Sequence, residues 1–411
     1  MLKAYGTLLR TPGGLKFSTA GFIGRMPIAM DSLAIIFVVV AATDSYALAG
    51  ALTAVGSIVV GAAEVFWSRQ ADQKGQAKIL LLAVPIRIIA FLIFVVLVSK
   101  SAPIWTWFVS LIIAESTAIS AGGMVRRRWL HILKNDADNK DNKDGHLVNT
   151  AYSWEAMVDE FVFILGPVVA TTCAVKIAPS AGILAGLIFL AIGLPSLAAM
   201  KSTEPPAEPA DQQEPHPPIL KNRIVQSIVF PCALLGGFFG AVGIVVVGFA
   251  EEKNHPESTG WLLAIWAVGS AVAALVNGAI KFKSAHATRF LVYLVGLTAG
   301  TIPMLFANSI LALSVALFVN GLFIAPLIVN AYGTVESAVP AGQITEALTW
   351  VIAGMPLGGA LASALSGVVI DRSGAQMAFW VPLGFLLAAI VTTLPYLSTY
   401  RAAIGYAHPR D

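Results

Sequence analysis

The chain has 411 residues, 57% of them hydrophobic and only 12% charged. A soluble domain carries about a quarter charged residues, so this composition, with a mean hydropathy of +0.78, excludes a water-soluble globular protein. The net charge of +3 gives no reason to invoke a nucleic-acid partner. The two cysteines, Cys173 and Cys232, have neither the number nor the spacing for a disulfide framework or a metal centre.

Apolar runs of about 20 residues recur along the chain, each long enough to cross a hydrocarbon core of roughly 30 Å. They predict twelve membrane helices, at 18–42, 46–67, 79–99, 103–125, 150–174, 178–199, 224–249, 259–280, 290–307, 309–331, 343–369 and 376–398. The start, Met1–Phe17, has basic residues but no short apolar core followed by a small-residue cleavage site. The first span therefore reads as retained rather than as a signal peptide.

Span one carries Arg25 and Asp31. Gly24, Pro27 and Asp31 share a helix face, and Arg25 points about 120° away from Asp31, so it needs a different partner. A polar turn, Ser68–Lys78, separates spans two and three. Span three carries Arg87. Span four places Phe108, Leu111, Glu115, Ile119 and Gly122 on one stripe and ends in a basic cluster, Arg126, Arg127 and Arg128. The loop Lys134–His146 is rich in Asp, Asn and Gly, but no register places its acids at the ligand positions of a calcium loop.

Span five is the most charged. Glu155 and Asp159 stack at i, i+4 on one face with Gly166, while Glu160 lies on the neighbouring face with Pro167. An ionised group near the bilayer centre costs roughly 2.5–3.5 kcal/mol, so such groups need partners, water or a function. No histidine lies in a span, so protons crossing here would travel on carboxylates.

Met200–Arg223 is rich in Pro, Glu and Gln and reads as a flexible linker between two groups of six spans. The domains are thus an N-terminal bundle at 1–199, the linker at 200–223 and a C-terminal bundle at 224–411. Of the 26 Lys and Arg, only Lys100, Lys176, Lys253 and Arg372 fall on the opposite side to the linker, apart from Arg25 and Arg87 inside spans. The positive-inside rule then puts the linker and both termini in the cytoplasm. Aligning Glu155-Ala156-Met157 with Glu346-Ala347-Leu348 brings Gly166-Pro167 close to Pro356 and Gly358, a weak internal repeat of the kind transporters carry.

The helix count, the central linker and Ser68–Lys78 together resemble the major facilitator superfamily over essentially the whole length. In that segment Asp72 and Gly75 match the family's G-x-x-x-D-R-x-G-R-K loop, while Ser68, Gln73, Gln76 and Ala77 depart from it. A closer string match, Gly367–Gly374, follows span eleven on the opposite side and reads as a helix-end turn. Val125–Trp129, Glu155–Pro167 and Thr345–Trp350 are similar to a poorly characterised bacterial branch.

The resemblance implies an all-α polytopic membrane protein with twelve transmembrane helices in two pseudosymmetric six-helix bundles. It implies that spans one, four, seven and ten line a central cavity. Asp31 and Glu115 then lead the candidates for proton coupling or substrate contact, with Asp159, Glu160, Arg25 and Arg87 beside them. Arg87 also reads as a counter-ion for Glu115 or Asp159. Glu64, Asp72, Gly75, Arg126, Arg128 and Glu155 are expected at an inner gate, where Glu155 latches to the Arg126–Arg128 cluster. Gly166 and Pro167 are expected to form a hinge. The C-terminal half has one acid inside a span, Glu346, and offers Phe238, Phe239, Trp266, Asn320 and Trp350 as cavity residues for an amphipathic ligand.

The chain has no phosphate-binding loop, nucleophile elbow or metal-ligand cluster, so neither an ATP-driven pump nor an enzyme is expected. No cofactor or metal is expected either. The expected function is secondary transport of a small molecule by alternating access. It should be proton-coupled efflux, run by a monomer in the plasma-membrane bilayer. The alternatives are uptake or exchange of a small polar metabolite, such as a sugar or organic acid, and a non-transporting membrane sensor.

Overall fold

The computed structural model describes residues 2–135, 146–207, 222–280, 284–339 and 344–396, and these are helices joined by short turns with no strand among them. In chain order the helices are α1 (Leu2–Arg10), α2 (Gly14–Thr43), α3 (Tyr46–Lys74), α4 (Gln76–Ser99), α5 (Ile104–Glu115), α6 (Ala121–Asn135), α7 (His146–Lys176), α8 (Ala181–Ala199), α9 (Arg223–Glu252), α10 (Ser258–Ala279), α11 (His286–Thr301), α12 (Ile310–Gly321), α13 (Ile324–Glu336), α14 (Ile344–Ala353), α15 (Met355–Ser373), α16 (Ala375–Ala378) and α17 (Trp380–Thr393). Among the described residues, eleven helical stretches are long and apolar enough to cross a membrane, and the shorter apolar α5 supplies the remaining span. The protein is an all-α polytopic membrane protein. The calcium-like loop, most of the linker and the side chain of Glu346 lie outside the described residues.

Four predicted spans are broken rather than continuous. Span four stops at Glu115 and restarts at Ala121 as α6, which carries the helix on to Asn135. Short hydroxyl side chains cause the break by bonding back to the backbone in place of a helix amide. Ser116 Oγ donates to the Ile113 carbonyl at 2.8 Å and Thr117 Oγ1 to the Ala114 carbonyl at 2.7 Å. Spans ten, eleven and twelve also break, between α12 and α13, α14 and α15, and α16 and α17, at Leu322-Phe323, Gly354 and Phe379, which carry no hydroxyl.

The chain divides into two compact units, Met1–Ala42 with Val59–Gln212 and Thr43–Ile58 with Gln213–Asp411. In the first unit α4 packs on α5 and α8, and α7 packs on α6 and α8. In the second, α9 is the central helix and packs chiefly on α15 and α17. Phe238, Val245 and Phe249 of α9 are fully buried. On α15, Leu357, Leu361 and Leu365 stay exposed at i, i+4 spacing, which makes an apolar stripe suited to lipid.

The α9–α15 crossing is made by glycine. A Cβ on Gly358 would sit 1.8 Å from the Ala233 carbonyl oxygen, and one on Gly236 would sit 2.0 Å from that of Met355. Backbones this close gain dispersion that lipid cannot replace, as in small-xxx-small helix pairs. Gly358→Val is therefore expected to push the two helices apart. The purified variant should melt well below the parent, with aggregation on size exclusion; an unchanged melting temperature would refute the close-packing account.

Candidate functional site

Two arginines inside the membrane helices of the first unit each collect carboxylates, with opposite charge balance. Arg25 of α2 is 1% exposed and Glu155 of α7 is fully buried. Their side chains form an ion pair, and Arg25 Nη1 also donates to Asp159 Oδ1 at 2.7 Å. Asp159 accepts a second guanidinium from Arg126 of α6 at 2.6 Å. The other Glu155 oxygen accepts from Ser18 Oγ at 2.7 Å and Trp129 Nε1 at 2.8 Å, and Trp154 Nε1 donates to the Ser18 hydroxyl at 2.9 Å. Two cations face two carboxylates, and the lone pairs of Glu155 are used. Burial of that kind is tolerated when charges are paired and the hydrogen bonds filled.

Arg87 of α4 is arranged differently. Its Nη2 donates to Asp31 Oδ2 at 2.8 Å and to Glu115 Oε2 at 2.7 Å. Its Nη1 donates to the Ala114 carbonyl at 3.2 Å, which also accepts the Thr117 amide at 3.3 Å, and its charge lies 5.1 Å from the Phe91 ring centre. One cation serves two carboxylates, so with both ionised this cluster carries one negative charge in excess. Arg87 and Glu115 are buried, while the side chain of Asp31 remains 13% exposed. Glu64 of α3 lies within electrostatic reach of Arg87 and Glu115 without pairing.

A third cluster ties the turn between α3 and α4. Asp72 pairs with Arg127. Gly75 has φ +91°, a left-handed conformation that favours glycine, and it caps α4. Glu204 Oε1 accepts the Ala77 amide at 2.8 Å, satisfying one orphan donor at that helix start. Arg128 is fully buried beside it; Nε donates to Gln76 at 2.8 Å and Nη1 to the Met200 carbonyl at 2.8 Å. Burial pulls the Arg128 guanidinium down to about 10, with Glu204 opposing the shift, so it remains charged at neutral pH. The same device recurs in the second unit, where Gly374 has φ +86° and Glu252 accepts the Ala375 amide at 2.6 Å. There Asp371 accepts from the Tyr46 and Ala47 amides, both at 2.8 Å, and so caps α3.

Several sequence expectations change place. Glu155 pairs with Arg25 and Trp129 rather than with the Arg126–Arg128 cluster. Glu64 faces the Arg87 cluster rather than the basic cluster. Asp72 meets Arg127, and Arg128 holds the chain after α8. The first linker residues, 200–204, are therefore docked chain, because buried Arg128 needs their acceptors. Glu160 makes no ion pair or hydrogen bond among the described residues. Gly166 lies against α2, where a Cβ would be 2.6 Å from that of Ala29, and α7 runs unbroken through Pro167. Sequence reasoning missed Ser18, Trp154 and Glu204: a serine in an apolar run and a glutamate in a linker carry no local signal.

In the second unit the cavity candidates form one group. Phe238, Phe239 and Trp266 contact each other pairwise, with ring centres 5.5–5.7 Å apart. Asn320 of α12 accepts from Trp266 Nε1 at 2.9 Å and donates to the Leu297 carbonyl and Thr301 hydroxyl. Trp350 stands exposed on α14, apart from these contacts.

Residues 229–409 match the family model described as Major Facilitator Superfamily. Over that second half the chain is similar to the superfamily. Solved structures share its fold over nearly the whole chain. A crystal structure of a mutant of the nucleoside transporter NupG superposes with a TM-score of 0.73 at 13% identity, covering 95% of this chain and 99% of that one. A mutant of a peptide transporter POT gives 0.70 at 12% identity, covering 96% of each chain. A bacterial homologue of the iron transporter ferroportin, in an inward-facing state, gives 0.64 at 14% identity, over 93% of this chain and 98% of that one. No curated protein sequence matches the chain.

Removing Arg25 would strand a buried carboxylate at Glu155, and breaking such a pair costs about 3–5 kcal/mol. Arg25→Ala should lower the melting temperature of the purified protein strongly, and Arg25→Met combined with Glu155→Gln should recover much of the loss. Equal melting of the parent and Arg25→Ala would contradict the pairing.

Proposed function

We propose that this transporter is a proton-coupled exporter of small amphipathic or cationic molecules, with Asp31 and Glu115 as the coupling carboxylates. One observation carries the reading: both share a single nitrogen of Arg87, at 2.8 and 2.7 Å. One proton brings Asp31, Glu115 and Arg87 together to neutrality, with Glu64 a third acid within reach, and its loss restores a net negative charge inside the membrane helices. A group that gains and loses charge this way can drive a conformational cycle. Asp31, the more accessible of the two, is the entry point for the proton; Arg87 holds the pair and Glu160 is a secondary carrier.

The balanced Arg25, Arg126, Glu155 and Asp159 group has no charge to exchange, which supports a latch at the inner gate, with Asp72, Gly75 and Arg128 securing the neighbouring turn. In this reading the alternating halves are residues 1–199 and 224–411 and the termini face the cytoplasm. The protein works as a monomer in the plasma membrane, and Gly166 and Pro167 give α7 its freedom to bend.

Vesicles turned inside out and acidified within test the coupling. Adding a transported cation should dissipate the gradient, and Asp31→Asn or Glu115→Gln should abolish that flux in protein that still melts normally. Unchanged flux in both variants would reject the coupling pair. A second reading, uptake of a polar metabolite, draws on the fold's likeness to a nucleoside and a peptide transporter. It predicts accumulation in right-side-out vesicles instead.

A further inference from the structure

The second unit spends buried polar groups on the orientation of one indole. Asn320 has no exposed surface, yet all of its amide is engaged. Its oxygen takes the Trp266 N–H, and its nitrogen is held by the Leu297 carbonyl at 3.1 Å and the Thr301 hydroxyl at 3.0 Å. Phe238, also fully buried, meets the indole edge-on at 70°, and Phe239 leans on it at 55°. The ring is fixed, and its only hydrogen-bond donor is consumed inside the protein. What it offers a ligand is π surface.

That surface does not belong to the lipid side. The exposed large apolar side chains of α10 are Trp261, Val268, Val272, Leu275 and Val276, a stripe from whose centre Trp266 lies about 140° around the helix. Phe239 lies about 180° from Phe230, the exposed large apolar residue of α9. Both rings nevertheless keep partial exposure. Charge narrows the ligand further. Between its ends α9 has no charged side chain, and α10 and α12 have none at all. Aromatic faces are negative at their centres, so they attract a cation and repel an anion that finds no counter-charge nearby.

From this geometry we infer that Trp266 and Phe239 form a stacking site for a planar aromatic cation, with Asn320 as the residue that positions the indole. The inference rests on the exporter reading and names its substrate class. A flat cation stacks on the rings and brings its own charge, so no acidic side chain of this unit is required.

Ethidium, a planar cation, and fluorescein, an anion of similar size, test it by equilibrium binding to the purified full-length protein. Ethidium should bind and fluorescein should not. Trp266→Ala should weaken ethidium binding roughly ten-fold or more, and Trp266→Phe, which keeps the packing, by a few-fold. Phe239→Leu should weaken it as well. Asn320→Leu should weaken ethidium binding while Asn320→Gln, which can still hold the indole N–H, restores most of it; a purely structural role would not give that split. Ethidium affinity unmoved by Trp266→Phe and Phe239→Leu, or equal binding of fluorescein, would overturn the site. Normal ethidium binding dependent on Trp266, together with proton flux indifferent to Asp31→Asn, would instead reject the coupling pair and leave the stacking site standing.

Discussion

A charged side chain among membrane helices must be paired within the protein, and the first unit is organised around that requirement. Arg25 and Arg87 are buried among the helices, and α2, α4, α5, α6 and α7 supply their counter-charges and the cations that complete the clusters. Each ion pair fixes the rotation of two helices about their axes, because a helix turned by one residue would swing its carboxylate out of reach. The break after Glu115 belongs to the same solution. At the break the Ala114 carbonyl accepts Arg87 as well as Thr117, and the Ser116 carbonyl accepts the Trp67 indole N–H at 2.7 Å.

The two clusters solve the pairing problem in different ways, and the difference carries the functional reading. Around Arg25 the charges cancel and the remaining lone pairs of Glu155 are filled by a serine and an indole, which favours one fixed arrangement. Around Arg87 a carboxylate is left over, which favours two arrangements related by a proton. The second unit relies instead on close backbone contact at the α9–α15 crossing and on a polar network centred on Asn320. One unit thus holds the Arg87 cluster and the other holds the aromatic group.

Much of this was legible in the sequence. The span pattern follows from hydrophobic length, and the orientation of Arg25 away from Asp31 follows from helical spacing. Arg87 was recognisable as a counter-ion for Glu115, one of the two partners its position offered, and its bond to Asp31 emerged only in the fold. Partner choice was harder. Glu155 goes to Arg25 instead of the adjacent basic cluster because Ser18 and Trp129 complete its coordination, and a serine among apolar residues gives no sequence signal. The docking of Met200–Glu204 was hidden for a related reason: composition reads the segment as solvated, while a buried arginine 72 residues earlier in the chain claims its carbonyl. The break after Glu115 escaped hydropathy because serine and threonine hydroxyls end a helix without making it polar, and the breaks at Leu322-Phe323 and Phe379 fall on apolar residues.

The central claim is that Asp31 and Glu115 share one proton over Arg87. Infrared difference spectroscopy of the purified protein, titrated in pH, reads the carbonyl stretch of a protonated carboxylic acid directly. The predicted result is one such band that disappears on raising the pH, is lost in Asp31→Asn or Glu115→Gln, and persists in Glu155→Gln. A band unaffected by either of the first two substitutions, or no protonated acid at any pH at which the protein stays folded, would contradict the account.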